Sequence, residues 1–154
     1  MANERLTEEI VRTHFKNDPF YIPKNPNSIK IEEQKSTNKR VIELLKGKSK
    51  SGKGNGYPDF FISFPTNSNY LIVIECKPEV SKHRSVELNK AKDYAVDGVL
   101  HYAQALSDDF NVVAIAVSGE TDTELQVSHF YWKKGNDTYI ELSDVKLLGI
   151  DDYI

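Results

Sequence analysis

Tyr70-Leu71-Ile72-Val73-Ile74-Glu75-Cys76-Lys77 (YLIVIECK) is the stretch on which the fold turns. Its apolar, β-branched run reads as a buried strand. Two charged residues close that strand, Glu75 and Lys77. They stand two apart, so both side chains leave the same face of a sheet, and Cys76 points to the other. A carboxylate and an ammonium beside a buried sheet are costly unless they pair or bind something. Pro78 stops the strand.

Upstream, Asp59 to Phe64 (DFFISF) is a second strand-like run. Pro65-Thr66-Asn67-Ser68-Asn69 lies between the two and supplies turn chemistry, which predicts a hairpin. Before it, Gly47 to Gly56 (GKSKSGKGNG) is a flexible, basic loop, with Gly47 as the cap of a preceding helix. That helix is expected from about Glu32 to Leu45, with Val41, Leu44 and Leu45 inward. Further back, Tyr21 to Ile29 is an irregular connection. A first helix starts at Thr7-Glu8-Glu9-Ile10, with Thr7 as N-cap, and ends before Asp18-Pro19.

Downstream, Leu88, Ala91, Ala95, Val99, Tyr102 and Leu106 repeat at helical spacing, which predicts one long helix from Ser85 to Leu106. Asn111 to Ser118 (NVVAIAVS) reads as a buried strand and Leu125 to Trp132 as another. The end from Tyr139 reads as a short strand plus irregular structure. The order helix, helix, hairpin, helix, strand, strand predicts an α/β fold, a mixed central sheet flanked by helices. We expect residues 1–30 to form an N-terminal helix and linker, and residues 31–154 the main domain.

Composition bounds the function. With 39% hydrophobic and 28% charged residues the chain has enough material for a core and reads as an ordinary soluble protein. No apolar run is long enough to cross a bilayer, and no apolar signal core opens the chain. One cysteine forms no internal disulfide, which fits a reducing cytoplasm. The net charge of -3 hides an asymmetry: seven basic residues against one acid between Gln34 and Gly56, and an acidic end from Glu120. A basic face of this kind steers a polyanion; a solvated lysine-rich loop is the other reading.

The chemistry gathers at the hairpin. If its register sets Asp59 beside Glu75, two carboxylates converge into an oxygen-rich site for a hard cation such as Mg²⁺. Such a cation polarises a phosphoryl oxygen and acidifies a bound water. Lys77 would orient that water and balance transition-state charge. A plain ion pair at a strand end is the competing reading of Glu75 and Lys77. Gly47 to Lys53 begins like a phosphate-binding GxxxxGK loop. However, Gly54 stands where serine or threonine should be, and the segment leads from helix to strand, the wrong order. The four histidines are scattered without zinc-ligand spacing.

Pro58-Asp59 followed by Glu75-Cys76-Lys77 matches the PD-(D/E)xK signature. Longer strings add to it: Glu33-Gln34-Lys35-Ser36, Ser49 through Asp59, Ile74 through Pro78, Asp93 through Tyr102 and Ala114 through Gly119. Together they resemble the N-terminal nuclease domain of type I restriction enzyme R subunits, including forms fused to N6-adenine DNA methyltransferases. The resemblance spans roughly Glu32 to Trp132. It implies a restriction-endonuclease-like fold and a Mg²⁺-dependent DNA-cleaving activity, with Mn²⁺ able to substitute. It implies metal ligands Asp59 and Glu75 and a catalytic lysine at Lys77. Many such nucleases add a glutamate from a helix before the first strand, and Glu33 fits that place; a carboxylate favouring the helix dipole is its other reading.

Implied partners are double-stranded DNA and methyltransferase, specificity or motor domains on the same or another chain. Lys48, Lys50 and Lys53, with Lys82, His83 and Arg84 after the second strand, are placed to touch phosphates. Tyr94, His101 and Tyr102 are further candidates for DNA contact. Tyr102 also lies on the apolar stripe as core, and His83 also reads as an exposed loop residue. Related nucleases carry glutamine four residues before the tyrosine, and here Gly98 stands there. A catalytically inactive nuclease-like domain, used to bind nucleic acid or to scaffold, is the alternative of a different class.

Overall fold

The computed structural model describes residues 3–154. Six strands form one mixed sheet in the order β1 (Lys30–Glu33), β2 (Phe60–Ser63), β3 (Tyr70–Lys77), β4 (Asn111–Ser118), β5 (Gln126–Trp132) and β6 (Ile140–Leu142). All neighbours run antiparallel except β3 and β4. A parallel pair needs a long crossover, and α3 (Ala95–Leu106) supplies it. Helices α1 (Glu4–Lys16), α2 (Lys39–Leu44) and α4 (Ile150–Tyr153) complete the fold. This mixed sheet flanked by helices is compatible with a restriction-endonuclease-like fold. Among the described residues no helix is long and apolar enough to cross a membrane.

The alternation along β3 divides the core in two. Leu71 and Val73 pack with Val96, Val99, Tyr102 and Leu106 of α3. Ile72, Ile74 and Cys76 pack on the opposite face with Val11 and Phe15 of α1 and with Ile150 and Tyr153 of α4. The β2–β3 turn closes as expected, with Asn67 N donating to Phe64 O at 2.9 Å.

Three local expectations are corrected. The stretch from Glu32 is not helical: Lys30–Glu33 is a strand paired with β2, and Gln34 turns the chain at φ 64°. The helix starts later because Asn38 caps it, its side chain accepting from Arg40 N and Val41 N. Thr7 is not an N-cap either. Asn3 caps α1, and the Thr7 hydroxyl lies inside the helix, donating to Gly119 O at 2.6 Å. The long helix after β3 is shorter than expected, starting at Ala95. The Asp97 carboxylate accepts from the Ser85 amide and hydroxyl and from Lys90 N, which ties residues 85–90 into an irregular strap.

Candidate metal and DNA-cleavage site

Strand register brings the acids together. Phe60 pairs with Ile74, and one further step of that register faces Asp59 with Glu75. The Asp59 amide donates to Glu75 Oε1 at 3.1 Å, and the Cys76 amide donates to Asp59 Oδ2 at 2.8 Å. Cys76 itself is buried, and burial pushes its thiol up, so it is an inert core residue.

The first turns of α1 bring two more acids. One oxygen each from Glu4, Glu8 and Asp59 can lie within 4.8 Å of the others. Octahedral Mg²⁺ with bonds of about 2.1 Å sets its ligand oxygens about 3–4 Å apart, so these three acids offer hard oxygen donors that would have to draw slightly closer to hold such a cation. The charges fit as well. Burial, with the Glu75 charge second, pushes Asp59 up to about 9. Burial and the adjacent Glu4 push Glu8 up to about 7. Acids so crowded hold protons or attract a cation.

Glu75 is fully buried, and burial raises it. Its Oε2 is held at 2.7 Å by the Lys50 ammonium, which the glycine-rich loop inserts. Burial opposes the Lys50 charge, but the Glu75 carboxylate keeps it above the ordinary lysine range. Gly98 makes room for this pair. A Cβ there would lie 3.4 Å from Glu75 Oε2, 3.3 Å from Lys50 Cδ and 2.9 Å from the Ala91 carbonyl. The position where related nucleases carry glutamine is therefore kept bare, and Lys50 fills the space. Lys77 sits at the site's edge. Its Nζ donates to Lys92 O at 3.1 Å and lies 3.8 Å from Glu4 Oε1.

Glu33 lies on β1, where Arg12 forks its carboxylate at 2.6 and 2.8 Å. That bond, above all, holds Glu33 below the usual carboxylate range. The helix that supplies acids to Asp59 is α1, through Glu4 and Glu8. Sequence reasoning missed both, although Glu4 and Glu8 share a face at i,i+4 spacing.

The basic candidates separate. Lys48, Lys53 and Lys82 are exposed, and Lys82 stacks over Tyr94 at 5.1 Å. Arg84 turns away to Glu141 at 2.5 Å. His83 is not an exposed loop residue. It is buried, its ring nitrogens lie 2.8 Å from the hydroxyls of Ser118 and Ser128, and burial lowers it to about 4. A ring so held has no free nitrogen for a phosphate. Tyr102 is core, as its place on the apolar stripe indicated. His101 Nε2 donates to Lys48 O at 2.8 Å, pinning the loop.

No family model matches the chain, and no solved structure matches it. One curated protein, the type II restriction enzyme and methyltransferase RM.BcgI of Heyndrickxia coagulans, is 30% identical over 135 residues. The match covers 78% of this chain and 19% of that protein, so the chain spans about a fifth of the relative's length. Its name joins restriction to methylation, as the fused forms do, but its class is type II rather than type I. The chain is thus similar to part of a restriction-modification enzyme.

Proposed function

We propose that this domain is a divalent-cation-dependent nuclease module that hydrolyses DNA phosphodiester bonds within a restriction-modification protein. The observation that carries the reading is the convergence of Asp59, Glu4 and Glu8, one oxygen of each within 4.8 Å of the others, with the Glu75 carboxylate hydrogen-bonded to the Asp59 amide. Burial and crowding raise Asp59 and Glu8, and a purely structural site gains nothing from crowding acids in this way.

Asp59, Glu4 and Glu8 would hold the cation, with Glu75 as the further carboxylate beside it. The chemistry supplied by Mg²⁺ when bound there is neutralisation of a phosphodiester oxygen and acidification of a water. Lys77 orients the attacking water and lends its ammonium to the charge that builds on phosphorus. Lys48 and Lys53, exposed on the loop before Asp59, grip flanking phosphates without reading sequence.

One observation favours a second reading, a nuclease-like domain that binds DNA without cutting it: Glu75 is already neutralised by Lys50. Nicking of supercoiled plasmid decides between them. The nuclease reading expects nicking with Mg²⁺ or Mn²⁺, none in EDTA, and none from Asp59→Ala or Lys77→Ala. Nicking by both variants at the wild-type rate overturns the site. DNA binding without nicking in either metal supports the second reading.

A further inference from the structure

The loop between α2 and β2 sends one lysine inward and leaves its neighbours in solvent. Lys50 Nζ reaches the fully buried Glu75 at 2.7 Å, while Lys48 and Lys53 are exposed. A lone buried carboxylate is strongly unfavourable, so without a divalent cation the Lys50 ammonium is the charge that balances Glu75. The pocket is shaped for it. Gly98 leaves the space that the lysine stem crosses, and the Tyr102 ring lies 6.0 Å from the ammonium.

The loop is fastened at its base. Gly56 N donates to Leu45 O, and His101 holds the Lys48 carbonyl. Apart from Lys50, the tip's hydrogen bonds among the described residues run within the loop, through Gly52 N to Ser49 O, Ser49 N to Gly54 O and the Ser49 hydroxyl to Lys53 O. Among the described residues, the Lys50–Glu75 bond is what ties the tip to the body. The arrangement therefore joins a firm base, a loosely held tip and one ion pair at the acids.

We propose that Lys50 is an exchangeable counter-ion of Glu75. It holds the carboxylate while no divalent cation is bound. It releases Glu75 when cation and DNA enter, and its ammonium moves to a phosphate of the incoming strand. This rests on the nuclease reading above and deepens it. DNA, which the loop lysines attract, would draw the competing charge off the acids, so that cation binding and DNA binding favour one another.

The test is Mn²⁺ titration by calorimetry on the full chain without DNA, wild type against Lys50→Met, which keeps length and removes charge. We expect Mn²⁺ to bind Lys50→Met about tenfold more tightly, in the usual range for coupled sites, and Lys46→Met, at an exposed lysine given no role in the site, to match wild type. Equal or weaker binding by Lys50→Met overturns the exchange. Should Lys50→Met not fold, Lys50→Arg replaces it. A guanidinium grips a carboxylate more firmly, so Mn²⁺ binding must weaken, and unchanged affinity overturns the proposal. Binding that depends on Asp59 but ignores Lys50 defeats the exchange alone. No Mn²⁺ binding by wild type, or binding unaffected by Asp59→Ala, defeats the nuclease reading and the exchange together.

Discussion

The main-chain amide of Asp59 donates to the Glu75 carboxylate at 3.1 Å. This bond crosses the open end of the β2–β3 pair, and with the Cys76 amide donating to Asp59 Oδ2 it anchors each carboxylate on a main-chain amide of the other strand. Under the proposed nuclease reading, a cation site built this way would be preorganised before the cation arrives. Its cost is the repulsion between carboxylates held close in a partly dry place.

That cost makes Asp59→Asn a stabilising change when metal is absent. Burial and Glu75 raise Asp59 to about 9 in the folded chain, against about 4 when unfolded. Between those values the folded state binds more protons, so this group's stabilising contribution is present on the acid side and is lost as pH rises. In EDTA at pH 8 we expect Asp59→Asn to melt a few degrees above wild type, about what 1 kcal/mol produces in a chain of this size. The gap should narrow at pH 5. Mg²⁺ should raise the melting temperature of wild type and not that of the variant. Thermal denaturation across pH, with and without Mg²⁺, measures all three.

Glu8 and Glu33 should behave differently. Glu8→Gln removes an oxygen from the three-acid cluster, and Mn²⁺ affinity should fall at least about tenfold, a loss usual even for groups behind the ligands. Glu33→Gln loosens the Arg12 fork. It should leave Mn²⁺ affinity within about twofold of wild type, while this half-exposed pair costs about 1 kcal/mol or less of stability. Calorimetry and urea unfolding of the two variants check the contrast.

Gly98→Ala should destabilise the fold by about 1–3 kcal/mol, the usual penalty of overpacking. The new methyl would stand 2.9 Å from the Ala91 carbonyl, a backbone atom that has no rotamer to escape into. Urea unfolding provides the number, and a neutral result would show that the strap around residue 91 moves freely.

Lys77→Ala should separate activity from stability. The ammonium makes one hydrogen bond to a carbonyl and one long contact to Glu4, so unfolding free energy should shift by less than about 1 kcal/mol. Plasmid nicking should fall by about a hundredfold or more, the scale on which a lost transition-state partner is felt.

Much of this was legible where periodicity and turn chemistry agreed. The run NVVAIAVS became β4 with the expected bounds, and YLIVIECK became β3. Glu33 was misread because Val41, Leu44 and Leu45 set a helical rhythm that was extended back across Gln34. The interruption there is a left-handed turn that composition does not announce. The strap at residues 85–94 was hidden for a related reason. Leu88 and Ala91 keep helical spacing, yet Asp97 offers the neighbouring amides of Ser85 and Lys90 a competing set of bonds. Glu4 and Glu8 were missed because α1 lies some fifty residues from Asp59 in sequence, and only the packing of Val11 and Phe15 under β3 brings that helix to the strand ends. In sequence Lys50 reads as one more phosphate contact of the basic loop. No pattern in the sequence showed that the bare backbone at Gly98 would admit it to Glu75.

The most direct measurement is the anomalous difference map of a crystal soaked in Mn²⁺. The account predicts a peak with Asp59 and at least one of Glu4 and Glu8 within about 2.1–2.4 Å, the range of hard-cation bonds to oxygen, with Lys77 facing the same point. A map with no peak there, or with Mn²⁺ bound only by acids remote from Asp59, would contradict it.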